Sequence, residues 1–240
     1  MKILYLGHSA FILRGTRTIY IDPFIRGNPA CPRPLESLPR ADAVVVTHDH
    51  HDHLGDAFEI CRRDGAVLFS LPETLDPVAA EGVQAEGMNI GGMVRGAGFA
   101  VHMVAAVHTS PSGGVCGVVV CLDGIAVYHA GDTGLFGDMR LIGEMFRPDV
   151  ALLPIGDRYT MGIEPAARAV EMIRPGLVVP MHYNTWPVIA ADPAEFRRRV
   201  GPLAPVRILA PGEEAEIAAR TAAGQDWIRD PSGCRDRVFY

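Results

Sequence analysis

Ala43-Val44-Val45-Val46-Thr47-His48-Asp49-His50-His51-Asp52-His53 carries an apolar run straight into a cluster of imidazoles and carboxylates. The apolar half reads as a strand. The polar half has the pattern His-x-His-x-Asp-His from His48 to His53. Imidazole nitrogens and carboxylate oxygens are the ligands that borderline divalent cations prefer, so the cluster reads as a metal site. A single tetrahedral ion has no comfortable use for all four groups, whereas two neighbouring ions can share them.

The surrounding chain is that of an ordinary globular protein. Its 240 residues are nearly half apolar, enough for a sizeable core. A formal charge of −6 leaves no basic footprint, which argues against a protein built to grip a nucleic-acid backbone and favours a small-molecule substrate. Five widely spread cysteines, Cys31, Cys61, Cys116, Cys121 and Cys234, form no C-x-x-C pair and read as reduced thiols. The start, Met1-Lys2-Ile3-Leu4-Tyr5-Leu6, reads as a short strand and not as a targeting segment. No stretch of about 18 uninterrupted apolar residues offers a membrane span. A cytoplasmic location without membrane partners is expected.

Strands come early. Lys2 to Leu6, Ala10 to Leu13 and Thr18 to Ile21 form a meander, followed by a loop from Asp22 to Arg40 whose five prolines forbid a regular helix. After Ala43 to Val46 and the histidine loop, the pattern predicts a helix at Asp56 to Arg63, a strand at Val67 to Ser70 and a helix at Pro72 to Glu81. Phe99 to Val107 runs into His108, and a hairpin through Asp123-Gly124 joins Gly114 to Leu122 with Ile125 to Ala130. Helix and strand then alternate: Gly137 to Phe146, Val150 to Pro154, Glu164 to Ile173 and Leu177 to Pro180. A helix at Pro193 to Val200 and strands at Val206 to Leu209 and Glu213 to Ile217 close the domain.

Each potential ligand follows a strand. Two sequence halves that each give a sheet and then helices imply sheets packed face to face with helices outside and the ligands along one edge. Residues 1–220 read as one domain and 221–240 as a C-terminal tail.

The chain resembles the metallo-β-lactamase superfamily. Five features match in order: Gly7-His8-Ser9, His48-x-His50-x-Asp52-His53, His108-Thr109-Ser110, Gly131-Asp132-Thr133 and Pro180-Met181-His182-Tyr183-Asn184-Thr185. Ile21-Asp22-Pro23, Tyr128-His129-Ala130 and Tyr159-Thr160-Met161-Gly162 are similar to a branch of metal-dependent hydrolases related to ascorbate-6-phosphate lactonase. The resemblance implies an α/β fold, a four-layer αββα sandwich with a metal centre in an edge cleft.

It also implies the ligand sets. His48, His50 and His108 would hold one ion, Asp52, His53 and His182 the other, and Asp132 would bridge them. A bridging hydroxide would be the nucleophile, since a bound dication lowers the pKa of water from about 15.7 to about 7. The implied reaction is hydrolysis of a lactone, ester or phosphodiester bond in a small substrate. Asp52, Asp132 and His8 are the candidate catalytic residues, Asp52 as a proton shuttle and His8 ahead of His129 as a pocket group. Histidine and carboxylate ligation accommodates zinc, manganese, nickel or iron; zinc is the default and manganese the lactonase-like alternative. Relatives point to a homo-oligomer, with Trp227, Ile228, Val238, Phe239 and Tyr240 of the tail as candidate contacts.

Other polar residues have plainer readings. His51 points away if His50 and Asp52 point inward, and His102 alternates with apolar strand neighbours. His129 divides evenly between supporting the metal ligands and lying in the core. Asp22 is the best partner for the free N–H of a metal-bound histidine, while Asp42 and Asp149 read as turn residues. Arg158 is balanced between gripping an anion and a surface ion pair, and Cys31 reads as a loop thiol. The alternatives to small-molecule hydrolysis are a nuclease or phosphodiesterase acting on nucleic acid, and a non-hydrolytic di-iron redox centre. For the redox reading, flavodiiron relatives carry a glutamate where this chain has His50.

Overall fold

The computed structural model describes residues 1–76 and 82–219. Two mixed sheets form. Strands β1 (Lys2–Tyr5), β2 (Phe11–Arg14), β3 (Thr18–Ile21), β4 (Ala43–Val45), β5 (Val67–Ser70), β6 (Ala85–Gly87) and β13 (Glu214–Glu216) make the first, in the order β13-β1-β2-β3-β4-β5-β6. Strands β7 (Met93–Gly96), β8 (Phe99–Ala105), β9 (Cys116–Leu122), β10 (Ile125–His129), β11 (Val150–Pro154) and β12 (Leu177–Met181) make the second, in the order β12-β11-β10-β9-β8-β7.

Side-chain alternation builds the layers. In β1 to β4, Ile3, Tyr5, Phe11, Leu13, Ile19, Ile21, Ala43 and Val45 join the core that includes the second sheet. Their neighbours Leu4, Ile12, Tyr20 and Val44 face the opposite way, onto Ala57, Ile60 and Cys61 of the helix Ala57–Asp64. The helices Met139–Phe146, Ile163–Ile173 and Pro193–Val200 bury Met139, Ile142, Val170, Ile173, Phe196 and Val200 against the second sheet. The result is the αββα sandwich that the sequence predicts.

Strand direction explains why the polar residues converge. β1 and β3 are both antiparallel to β2, and β4 is parallel to β3, so all three end at the same edge. β8 and β10 are likewise both antiparallel to β9, and β11 and β12 run parallel to β10. His8, Asp22, the His48 cluster, His108, Asp132 and His182 all lie just past the C-terminal ends of these co-directional strands. The edges are tied together by backbone bonds, His182 N to His8 O at 2.7 Å and Cys116 N to Thr47 O at 3.1 Å.

Several elements differ from expectation. The strand predicted at Val206 to Leu209 is one parallel bridge, Val178 with Val206, in a segment flanked by Pro205 and Pro211. The helix starting at Pro72 is assigned over Pro72–Leu75, and its predicted continuation through 77–81 lies outside the described residues. β6 and β7 were not predicted: both are sheet-edge strands, glycine-containing and largely solvated, so neither shows a hydrophobic period. Cys31, Cys61 and Cys116 are free thiols, but Cys121 is disulfide-bonded, against the expectation of reduced cysteines throughout. Cys234 and the tail 221–240 lie outside the described residues, and among those described no helix is long and apolar enough to cross a membrane.

Candidate metal centre

The histidine loop has two parts. Thr47 to His50 is non-helical, with His50 in an extended conformation, and His51–Leu54 closes a single helical turn in which His53 N and Leu54 N both donate to His50 O. The sequence pattern predicts no helix before Asp56. The turn sends the His51 side chain into solvent, 82% exposed, while His53 is completely buried. Gly55 ends the turn at φ +43°, where a Cβ would stand 2.5 Å from Pro23 O.

All seven predicted ligands converge. The ligand atoms of His48, His50 and His108 lie within 4.8 Å of one another, as do those of His8, Asp52, His53 and His182, and those of His48, His53 and Asp132. Asp132 stands between the sets. Its Oδ2 is 3.1 Å from His182 Nε2 and 3.5 Å from His108 Nε2, and its Oδ1 is 3.2 Å from His53 Nε2. His53 Nε2 and Asp132 Oδ1 are nevertheless both buried without a hydrogen-bond partner, as is His182 Nδ1. Close approach without hydrogen-bond geometry is how two ligands of one ion are arranged.

Behind this set sits Asp22, wholly buried, at φ +45°. Its Oδ1 accepts from Thr47 N–H at 2.8 Å; its Oδ2 accepts from the Thr47 hydroxyl and from His53 Nδ1–H, both at 2.7 Å. The Thr47 hydroxyl hydrogen is thereby used, so at 3.0 Å Thr47 Oγ1 can only accept from His48 Nδ1–H. One carboxylate thus commits Nδ1 of both His53 and His48 to donating, so that each ring presents Nε2 to the site.

Burial alone would raise the Asp22 carboxyl, but the neighbouring His53, His129 and His48 hold it below its ordinary value. Burial likewise opposes charge on Asp132, which His53 and His182 hold well below the carboxylate range. His48 is lowered to about 3, chiefly by burial with His53 adding repulsion, and burial also lowers His108. His53 goes the other way: burial disfavours its charge, yet Asp132 and Asp22 on either side raise it well above the ordinary value. Two buried carboxylates around one ring call for positive charge there.

His8 bonds Asp52 Oδ2 through Nε2 at 3.0 Å and Thr185 Oγ1 through Nδ1 at 2.9 Å. Burial lowers it to about 4, and its bond to Asp52 offsets that only in part. Burial would raise Asp52, but the His8 hydrogen bond and the charge of His53 hold it low. His129 belongs to the core. Its Nε2–H donates to Ser9 O at 2.9 Å and its Nδ1 accepts from Gly131 N–H at 3.1 Å, so both ring nitrogens are committed to backbone.

The remaining residues take modest places. Asp42 accepts from Thr18 N–H and Asp149 from Ala126 N–H, as turn residues do. The Arg158 guanidinium lies over its neighbour Tyr159, 5.7 Å from the ring centroid. Cys31 donates to Arg33 O on its loop, and His102 packs edge-on to Phe146. Sequence reasoning missed Thr47 and Thr185, whose hydroxyls lock imidazoles; their only signal was adjacency to histidine-bearing motifs.

Residues 17–183 match the model of the Beta-lactamase superfamily domain. A UPF0173 metal-dependent hydrolase of Thermococcus kodakarensis is 50% identical over 225 residues, covering 90% of this chain and 100% of that protein. Its counterpart in Methanosarcina mazei is 47% identical over 228 residues, covering 90% and 99%. Among solved structures, Igni18, a metallo hydrolase from Ignicoccus hospitalis, superposes with a TM-score of 0.85 at 46% identity, covering 89% of this chain and 97% of that one.

Proposed function

Since the chain belongs to the β-lactamase superfamily as a metal-dependent hydrolase, we propose that it uses a two-ion centre to cleave a lactone, ester or phosphodiester bond in a small substrate. The observation carrying this reading is the position of Asp132 Oδ2, 3.5 Å from His108 Nε2 of one ligand set and 3.1 Å from His182 Nε2 of the other.

The residues present fit such a centre. Its donors are nitrogen and oxygen, and the buried thiol of Cys116 is turned to Thr47 O and Met103 Sδ. His53 Nε2 and Asp132 Oδ1 have no protein partner to satisfy them, as befits atoms reserved for a cation. His48, His50 and His108 would hold the first ion, Asp52, His53 and His182 the second, and Asp132 both. Zinc is the default occupant, with manganese, nickel or iron compatible with the same donors. Bound dications would supply an acidic water and polarise the oxygen of the bond under attack.

The protein's own groups do the rest. Asp22 and Thr47 hold His53 and His48 in the tautomers that present Nε2. Asp52 is the proton carrier to the leaving oxygen, with His8 Nε2 on its Oδ2. His129 takes no part, because its ring nitrogens are spent on Ser9 and Gly131. A small cytoplasmic substrate completes the proposal, and the charge of −6 favours it over nucleic acid.

The test is a hydrolysis panel on chelator-stripped protein reloaded separately with zinc and with manganese. It covers phosphorylated sugar lactones, aryl esters and a bis-aryl phosphodiester. Metal-dependent turnover of one class is expected. Silence on all three, with two ions bound per chain, would refute hydrolysis of these bonds.

A further inference from the structure

We infer that Thr185 is a positioning residue, the fixed end of a Thr185–His8–Asp52 chain that aims Asp52 at the second ion across the seam between the two sheets. The inference rests on the two-ion reading of the site. Asp52 follows β4 in the first sheet, and Thr185 lies three residues beyond His182, at the end of the second. His8, past β1, joins them by its two ring nitrogens, at 3.0 Å to Asp52 Oδ2 and 2.9 Å to Thr185 Oγ1.

Hydrogen-bond chemistry gives the chain a direction. A carboxylate only accepts, so His8 must donate from Nε2 to Asp52. A neutral ring that donates from Nε2 accepts at Nδ1, and the Thr185 hydroxyl is the donor there. Without that donor Nδ1 is a buried acceptor left unpaired, and the ring is tethered at the Asp52 end alone. The His8 bond fixes the Asp52 carboxylate, one of whose oxygens lies within 4.8 Å of the ligand atoms of His53 and His182.

The surroundings make this chain stiff. Thr185 is 8% exposed and His8 wholly buried. The His8 ring packs against His182 with centroids 4.0 Å apart and edge-on to Trp186 at 4.9 Å. His182 N donates to His8 O at 2.7 Å, so a ligand of the second ion and the clamp on Asp52 are anchored to the same backbone. Asn184, between them at φ +58°, is pinned by its N–H to Ile189 O and its Oδ1 to Ala191 N–H.

The experiment compares wild type, Thr185→Val and Thr185→Ser, each zinc-loaded. Nitrogen-15 spectra report the hydrogen bonding of the His8 ring nitrogens, and competition with a chelator reports zinc affinity. Expected are an Nε2–H tautomer throughout, with the Nδ1 resonance of a hydrogen-bonded acceptor in wild type and Thr185→Ser and of an unbonded lone pair in Thr185→Val. The more weakly held zinc should be lost about ten-fold more readily from the valine variant alone. Rescue by serine separates positioning from mere filling of space. A valine variant with the wild-type Nδ1 resonance and zinc affinity overturns the inference. The ring readout is independent of turnover: a protein that hydrolyses nothing yet shows the valine-specific change supports it, and an active enzyme in which valine and serine behave alike overturns it.

Discussion

Asp22 Oδ2 lies 2.7 Å from Nδ1 of His53, and neither side chain has any exposure. The same oxygen accepts the Thr47 hydroxyl, so Asp22 reaches a residue of each proposed ligand set, His53 directly and His48 through Thr47. Replacing it by asparagine keeps the shape and removes the charge. Asp22→Asn should weaken metal binding by about 10- to 100-fold, as losses of such supporting carboxylates do. Metal titration against a chromophoric chelator checks this, and unchanged affinity would remove Asp22 from the site's support.

Asp132→Ala deletes the carboxylate between His53, His108 and His182. It should leave the fold largely intact while reducing bound metal below two ions per chain and abolishing most turnover. Elemental analysis alongside circular dichroism separates these effects. Full activity in this variant would sink the two-ion mechanism.

Much of this was readable in advance, and the exceptions share causes. β3, β5, β11 and the helix Pro193–Val200 fall where their patterns place them, because buried alternation and a proline at the helix start are local signals. The clustering of the seven candidate side chains was likewise legible from their motifs. β6 and β7 were not, because a solvated edge strand needs no apolar face. The turn His51–Leu54 was hidden by a histidine-rich sequence with no helical preference, and the backbone takes it up where His50 O and Gly55 allow. The committed ring nitrogens of His129 and the imidazole locks by Thr47 and Thr185 depend on residues brought together from distant strands, which no spacing encodes.

Gly131 precedes Asp132 at φ +60°, and a Cβ there would stand 2.6 Å from Cys116 O and 3.1 Å from Thr47 Cβ. Alanine therefore meets both strain and a collision with backbone. Gly131→Ala should destabilise the protein by on the order of 1–3 kcal/mol and shift Asp132 away from the histidines. A lower thermal midpoint together with weaker metal binding is the expected pair of results; a variant normal in both would show that the loop yields freely.

The metal-free protein should lose stability as pH falls from about 6.5 toward 4, and the sign follows from its buried imidazoles. His8 is held down at about 4 and His48 at about 3, so folded protein refuses protons that the unfolded chain, with histidines near 6.5, takes up. Each such group costs about 1.4 kcal/mol per pH unit across that window. His53, raised well above 6.5, is protonated in both states there and adds no slope; its contribution is lost only as pH rises through its folded value. Asp22, Asp52 and Asp132 are held below 3.8 and enter only at lower pH. Urea midpoints of chelator-treated protein at pH 7 and pH 5 provide the measurement. A midpoint that stays level or rises on acidification would mean that these rings are already charged in the folded chain, which contradicts His48 as a lone-pair donor and His8 as a neutral link between Asp52 and Thr185.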